Sequence, residues 1–280
     1  MIHSPKLQAI FGLKFNPFLP EVPDDALYAP AGVEHFVARC ESYLPEGGFV
    51  MLTGAPGQGK SVALRLLETR LSRLRDVLVR SLTYPKCRLG DFYRELGEAF
   101  GIPLNGNNRW GAFKAMREKW QAHLETTHMR PVLIIDEAQD LLPQVLGELR
   151  LLASRHFDSQ TLLFVVLVGD AQLIEKLRTP ELLPLESRLR VRARLDLASV
   201  ADLSACLRHV VDAAGNAQLF PPPLIAALAE HSAGNYRTMM SLANDLLHAA
   251  VDRDLRKIDE KLFFELATPR TAPASKPRRR

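Results

Sequence analysis

The amino-acid sequence predicts an α/β fold: a mostly parallel, five-stranded sheet in a three-layer core, followed by a small domain made only of helices. Three observations lead there. Up to residue 195, short apolar runs alternate with longer amphipathic ones, the pattern of a parallel sheet covered by helices. After Asp196 the strand signal stops and helical periodicity alone continues. A glycine-rich stretch stands between the first strand-like run and the helix-like run after it, where such folds place an anion-binding turn.

The strand-like runs are 49–53, 76–82, 131–136, 162–168 and 189–195. Most are dominated by Val, Leu and Ile, as strands buried on both faces require. Between them, 60–74, 89–100, 110–125 and 144–154 read as helices. Beyond the core, 200–213, 222–231, 237–251 and 260–267 do so too, the first opened by Ser199 with Asp202 three residues on, a capping box. The expected organisation is an N-terminal segment with a first helix (1–47), an α/β core (48–197), a helical lid (198–267) and a disordered basic tail (268–280) rich in Pro, Ala and Arg.

Composition excludes several classes. With 47% hydrophobic and 24% charged residues among 280, wholesale disorder is ruled out. The net charge of +4 suggests a nucleic-acid binder, but Arg270, Lys276, Arg278, Arg279 and Arg280 supply it; the remainder of the chain is close to neutral. A nucleic-acid argument must therefore rest on the tail or on local patches. The longest apolar run, 162–168, falls far short of the roughly 20 residues of a membrane helix. No signal peptide is expected from the first residues. Cys40, Cys87 and Cys206 are odd in number and widely spaced, which suggests a reducing cytoplasm rather than disulfides or a zinc site.

Gly54-Ala55-Pro56-Gly57-Gln58-Gly59-Lys60-Ser61 fits GxxxxGK[ST] in full, with Val62 next in the helix. Its glycines allow backbone N–H groups to wrap a phosphate, and the following helix N-terminus adds a favourable dipole. Lys60 is placed to reach the β and γ phosphates of a nucleotide, and Ser61 to hold Mg²⁺. Val132-Leu133-Ile134-Ile135-Asp136-Glu137 is the complementary element, four aliphatics ending in two acids at the carboxyl edge of a strand. Asp136 is the candidate for Mg²⁺ contact and Glu137 for polarising the attacking water. Without a guanine-reading [NT]KxD motif, ATP is the expected nucleotide.

Arg188, just before the last strand, and Arg237, opening a helix after Gly234-Asn235-Tyr236, are candidate cations for developing phosphoryl charge; the alternative is that each is solvated or salt-bridged. Arg188, Arg190, Arg192 and Arg194 alternate with Leu189, Val191, Ala193 and Leu195, a strand with one basic face. That face is either a stripe toward another subunit or DNA, or a solvated edge that blocks unwanted pairing.

Taken together, the phosphate loop, the stretch Asp136–Gln139, Leu146-Gly147-Glu148-Leu149-Arg150, Gly169-Asp170-Ala171-Gln172-Leu173 and Ser232-Ala233-Gly234-Asn235-Tyr236-Arg237 resemble AAA+ P-loop ATPases of the ExeA type. That branch also includes transposition regulators of the TnsC, TniB and MuB kind. Phe11-Gly12-Leu13, Asn16-Pro17-Phe18 and Tyr28 are similar to the N-terminal segment that packs beside the nucleotide in such proteins. The resemblance implies that Arg188 is a finger reaching a neighbour's ATP, that Arg237 is the lid arginine, that Asp170 is the polar sensor after the fourth strand, and that the chain assembles with itself into a ring or filament. It departs at the sensor strand, where members often carry Gly-Gln-Pro-Glu-Leu, and at the lid, where they often read Gly-Ile-Pro-Arg.

Secretion members of the group carry a transmembrane segment and a cell-wall-binding region, neither of which is expected here. The resemblance therefore points to an ATPase that polymerises on double-stranded DNA without sequence preference and recruits a transposase, with a targeting adaptor as a further partner. DNA contacts of this kind need cations and no base-reading geometry. The candidates are Lys86, Arg88, Asn108, Arg109 and Lys114, for each of which an ordinary surface role is the favoured alternative. The rival readings are an ExeA-like assembly ATPase acting on protein partners, and a nucleotide switch with little hydrolysis.

Overall fold

The computed structural model describes residues 4–82, 86–156 and 159–267; the expected tail lies outside the described residues. In chain order the elements are α1 (Ser4–Phe11), α2 (Ala31–Tyr43), β1 (Gly48–Gly54), α3 (Lys60–Ser72), β2 (Val77–Leu82), α4 (Leu89–Phe100), α5 (Arg109–Thr126) and β3 (Arg130–Ile135). There follow α6 (Pro143–Ala153), β4 (Ser154–Arg155), β5 (Gln160–Thr161), β6 (Phe164–Gly169), α7 (Ala171–Leu177), α8 (Leu183–Glu186) and β7 (Leu189–Leu195). The chain continues through α9 (Val200–Ala213), α10 (Pro222–His231), α11 (Tyr236–Asp252) and α12 (Glu260–Ala267).

The five expected strands pair in parallel in the order β2-β3-β6-β1-β7. Alternation along each strand decides which layer a side chain joins. Phe49, Met51, Leu133, Ile135, Val165 and Leu167 pack into one cluster with α4, α5, α6, α7 and α8. Val50, Leu52, Val132, Ile134, Val166 and Val168 pack into the other with α2 and α3. The two clusters flank the sheet, which gives the expected three layers. Each such side chain contributes on the order of 1.5–3 kcal/mol by leaving water. β1 is buried at every residue, whereas β7, at the sheet edge, alternates between buried Leu189, Val191 and Leu195 and exposed Arg190, Arg192 and Arg194.

Contacts divide the chain into two compact units, Leu27–Leu197 and a helical unit joining Met1–Ala26 to Ala198–Arg280. The division therefore cuts the expected segment 1–47 in two. Hydrogen bonds show why: Lys14 N–H donates to the Ala214 carbonyl at 2.8 Å, Asn216 Nδ2 to the Phe11 carbonyl at 2.7 Å, and Asn16 Nδ2 to Asn244 Oδ1 at 2.8 Å. Phe18 stacks on Phe220 with ring centres 5.5 Å apart. In the helical unit α10 packs on α9, α11 and α12. The capping box forms: Asp202 N–H donates to Ser199 Oγ at 3.0 Å and Ser199 N–H to Asp202 Oδ2 at 3.4 Å, at the start of α9.

All three cysteines are buried and free, and burial pushes the Cys40 and Cys206 thiols up to about 12. They are inert packing groups. Among the described residues no helix is long and apolar enough to cross a membrane.

Candidate active site

The glycine-rich turn follows β1 at the carboxyl edge of the sheet. Its first glycine leaves little room for a side chain, since a Cβ on Gly54 would lie 3.0 Å from Gln58 Oε1 and 3.2 Å from Leu195 Cβ. Gln58 braces the turn from inside: its Oε1 accepts from Ala55 N–H at 2.5 Å, and its own N–H donates to the Ala55 carbonyl at 3.3 Å. Gly57 and Gly59 adopt φ of +84° and +95°, which point successive N–H groups into one concavity. α3 starts at Lys60, so the positive end of its dipole faces the same concavity.

Lys60 is only 7% exposed. Its Nζ donates to the Gly54 carbonyl at 2.8 Å and the Ala55 carbonyl at 3.5 Å, which hold the ammonium against the turn. A buried cation held by neutral carbonyls beside a cradle of N–H groups suits a polyphosphate. Ser61 is exposed at the second residue of α3, and Val62 is half-buried behind it.

Across the sheet, β3 ends at Ile135 and delivers Asp136 and Glu137 to the same edge. The register Thr53↔Gly169 and Ile135↔Leu167 brings Gly54, Asp136 and Asp170 to one end of three adjacent strands. Burial raises the Asp136 carboxyl above its ordinary range; Glu137 N–H, donating to Asp136 Oδ1 at 2.9 Å, and the Lys60 charge oppose that rise. Lys60 and Asp136 thus act within one electrostatic site. A half-buried carboxylate such as Asp136 and a hydroxyl such as that of Ser61 are both oxygen donors of the kind Mg²⁺ takes. Glu137 takes φ 49°, ψ 42°, a left-handed conformation that costs a non-glycine residue about 1–2 kcal/mol, and presents an exposed carboxylate. Such strain concentrates at functional sites.

Asp170 lies where the sequence placed it, but its carboxylate accepts from Gln172 N–H at 2.8 Å and caps α7. Arg188 sits after α8 with a guanidinium N–H donated to the Pro184 carbonyl. Arg237, exposed at the second residue of α11, belongs to the helical unit.

The basic face of β7 exists and is largely ion-paired. Arg190 pairs with Glu46, Arg192 with Glu186 at 2.8 Å, and Arg194 with Asp196 at 3.1 Å. The candidate DNA cations are similarly engaged. Lys86 pairs with Asp140 at 3.3 Å and Lys114 with Glu118 at 3.8 Å, while the Asn108 side chain caps α5 by accepting from Gly111 N–H at 3.0 Å. Arg109 is a structural clamp: its Nε and a terminal nitrogen donate to both oxygens of Glu148, at 3.0 and 2.5 Å. Arg88 is exposed at the start of α4.

Two groups escaped the sequence reading. Glu148 is 2% exposed on α6 and also accepts from Tyr93 Oη at 2.5 Å, so it ties α4, α5 and α6 together. A lone acid among the leucines of 145–152 was the available signal. Gln139 faces Glu137 through its side-chain amide, a contact that spacing alone does not reveal.

The parallel sheet with its strand order and helical layers is the AAA+ P-loop fold. Residues 45–177 match the family model described as "AAA domain". The chain is 32% identical over 251 residues to General secretion pathway protein A of Aeromonas hydrophila, covering 89% of this chain and 45% of that protein, so it spans less than half of that relative. Among solved structures it resembles the ORC2 protein of Aeropyrum pernix in ADPNP-ADP complexes (TM-score 0.71, 15% identity, 93% of this chain and 72% of that one). It also resembles the ORC1 protein of Aeropyrum pernix in complex with DNA (0.62, 20%, 90% and 68%). The RuvB Holliday junction branch migration motor of Thermotoga maritima is similar as well (0.54, 17%, 89% and 72%). At these identities the structural likenesses concern the fold.

Proposed function

We propose that this chain binds and hydrolyses ATP with Mg²⁺ and couples the nucleotide cycle to self-assembly. The observation that carries the reading is the convergence of the buried Lys60, the N–H cradle of 54–61 and the Asp136–Glu137 pair at one edge of the sheet. In this role Lys60 and the loop N–H groups hold the phosphates, and Ser61 and Asp136 hold the metal. Glu137 orients and polarises the attacking water. Bound Mg²⁺ supplies neutralisation of phosphate charge. Arg188 is the cation that self-assembly offers to a neighbouring copy's nucleotide, Arg237 is the candidate cation of the helical unit, and Asp170 is the candidate polar residue after β6.

For the partner, two readings have support. Identity of 32% across 89% of the chain to General secretion pathway protein A favours an assembly ATPase acting on proteins. The engagement of Lys86, Arg109 and Lys114 in ion pairs weighs the same way. The DNA-coating reading, with a transposase and an adaptor as partners, draws on Arg88. Arg88 is exposed at the start of α4, and Trp110 is exposed in the first turn of α5. Electron microscopy with a non-hydrolysable ATP analogue, with and without duplex DNA, separates the two. Filaments that require DNA support the second reading, and rings indifferent to DNA support the first.

A further inference from the structure

We infer that Gln139 is the positioning residue for Glu137, and that it links the carboxylate to the β6–α7 junction. The inference rests on the proposed role of Glu137 in hydrolysis. Gln139 Nε2 donates to Glu137 Oε2, and Gln139 Oε1 accepts from Asp170 N–H at 3.3 Å. The orientation of the amide follows from the chemistry of its two neighbours. Asp170 N–H can only donate, so it must face the amide oxygen; the amide nitrogen then faces Glu137, whose ionised carboxylate can only accept. One Glu137 oxygen is thereby engaged, and the carboxylate is held in a single orientation.

The Gln139 backbone is itself pinned. Lys176 Nζ donates to the carbonyls of Gln139 and of Leu141, the latter at 2.7 Å, and Ala138 and Leu141 of the same turn are fully buried. Gly169, at the end of β6, makes room for the amide: a Cβ there would lie 2.4 Å from Gln139 Oε1. A displacement of the segment 169–170 therefore reaches Glu137 through one side chain. Asp170 contributes to this link by its backbone N–H, while its carboxylate caps α7.

The test compares Gln139→Ala, Gln139→Glu, Glu137→Gln and Gln139→Ala/Glu137→Gln, reading turnover at saturating Mg-ATP, affinity for a fluorescent ATP analogue, and the melting temperature. Gln139→Ala is expected to lower kcat roughly tenfold to a hundredfold, as loss of orientation does, with nucleotide affinity and melting unchanged. Gln139→Glu keeps the shape but sets a carboxylate against Glu137, so its kcat falls below that of the alanine variant. The double variant is expected to be no slower than Glu137→Gln alone, because Gln139 acts through Glu137. Wild-type turnover in Gln139→Ala, or better turnover in Gln139→Glu than in Gln139→Ala, overturns the inference, the latter because it signals simple space-filling. Turnover retained in Glu137→Gln overturns the underlying role of Glu137 instead.

Discussion

At the scale of single residues, Lys60 shows how much of the site is made before any ligand arrives. Its ammonium is desolvated and hydrogen-bonded to the Gly54 and Ala55 carbonyls, so an incoming phosphate replaces neutral hydrogen bonds with charged ones. Lys60→Ala should therefore abolish nucleotide binding measured by titration calorimetry while leaving the melting temperature near that of the parent. Gly59 is different. A Cβ there meets nothing within 4 Å, but φ of +95° strains any L side chain. Gly59→Ala should cost about 1–2 kcal/mol in denaturant unfolding and weaken ATP affinity through the altered N–H direction. The types and spacing of Gly54, Gly59, Lys60, Asp136 and Glu137 were legible because they form a recognisable pattern along the sequence. Gln58 and Gln139 were not, because their significance is a side-chain contact that depends on rotamer and turn geometry rather than on spacing.

At the scale of elements, periodicity located all five strands of the main sheet and the helices α3 to α6 and α9 to α12, but it did not find α1 and gave no bounds for α2. It missed α7 and α8, with seven and four residues, and the two-residue strands β4 and β5, which are too short to show a period. The alternation of β7 was also legible, but its meaning was not: each exposed arginine finds an acceptor that the fold supplies, in Glu46, Glu186, Asp196 or the Pro184 carbonyl. Exposed pairs of this kind are worth about 0–1 kcal/mol, so Arg190→Ala should shift stability by no more than that in urea unfolding. The clamp on α6 matters more. Burial raises the Glu148 carboxyl, but hydrogen bonds from Arg109 and Tyr93 outweigh it and leave the group below its ordinary value of 4.5. A depressed carboxyl stabilises the fold above the unfolded value, and that contribution is lost as the pH falls through the folded one. Glu148→Gln should cost roughly 2 kcal/mol at neutral pH and should flatten the acid limb of the melting-temperature profile below pH 4.5.

At the scale of the whole molecule, the net charge of +4 says little about partners, since the cations singled out in the core are mostly paired and the surplus lies in the last residues of the chain. Charge along the sequence reports composition, whereas pairing depends on which helices meet. Arg109 and Glu148 are far apart in sequence yet close one contact. Likewise the N-terminal segment could be recognised from Asn16 and Phe18, but not its place in the helical unit, which rests on long-range bonds to Ala214, Asn216 and Asn244. The central claim is that Glu137 drives ATP hydrolysis at the site built by Lys60 and Asp136. Phosphate release by the wild-type protein and Glu137→Gln, measured beside ATP affinity, tests it most directly. Turnover should fall by about 10²–10⁴ in the variant with ATP still bound, whereas retained hydrolysis, or loss of binding together with hydrolysis, contradicts the claim.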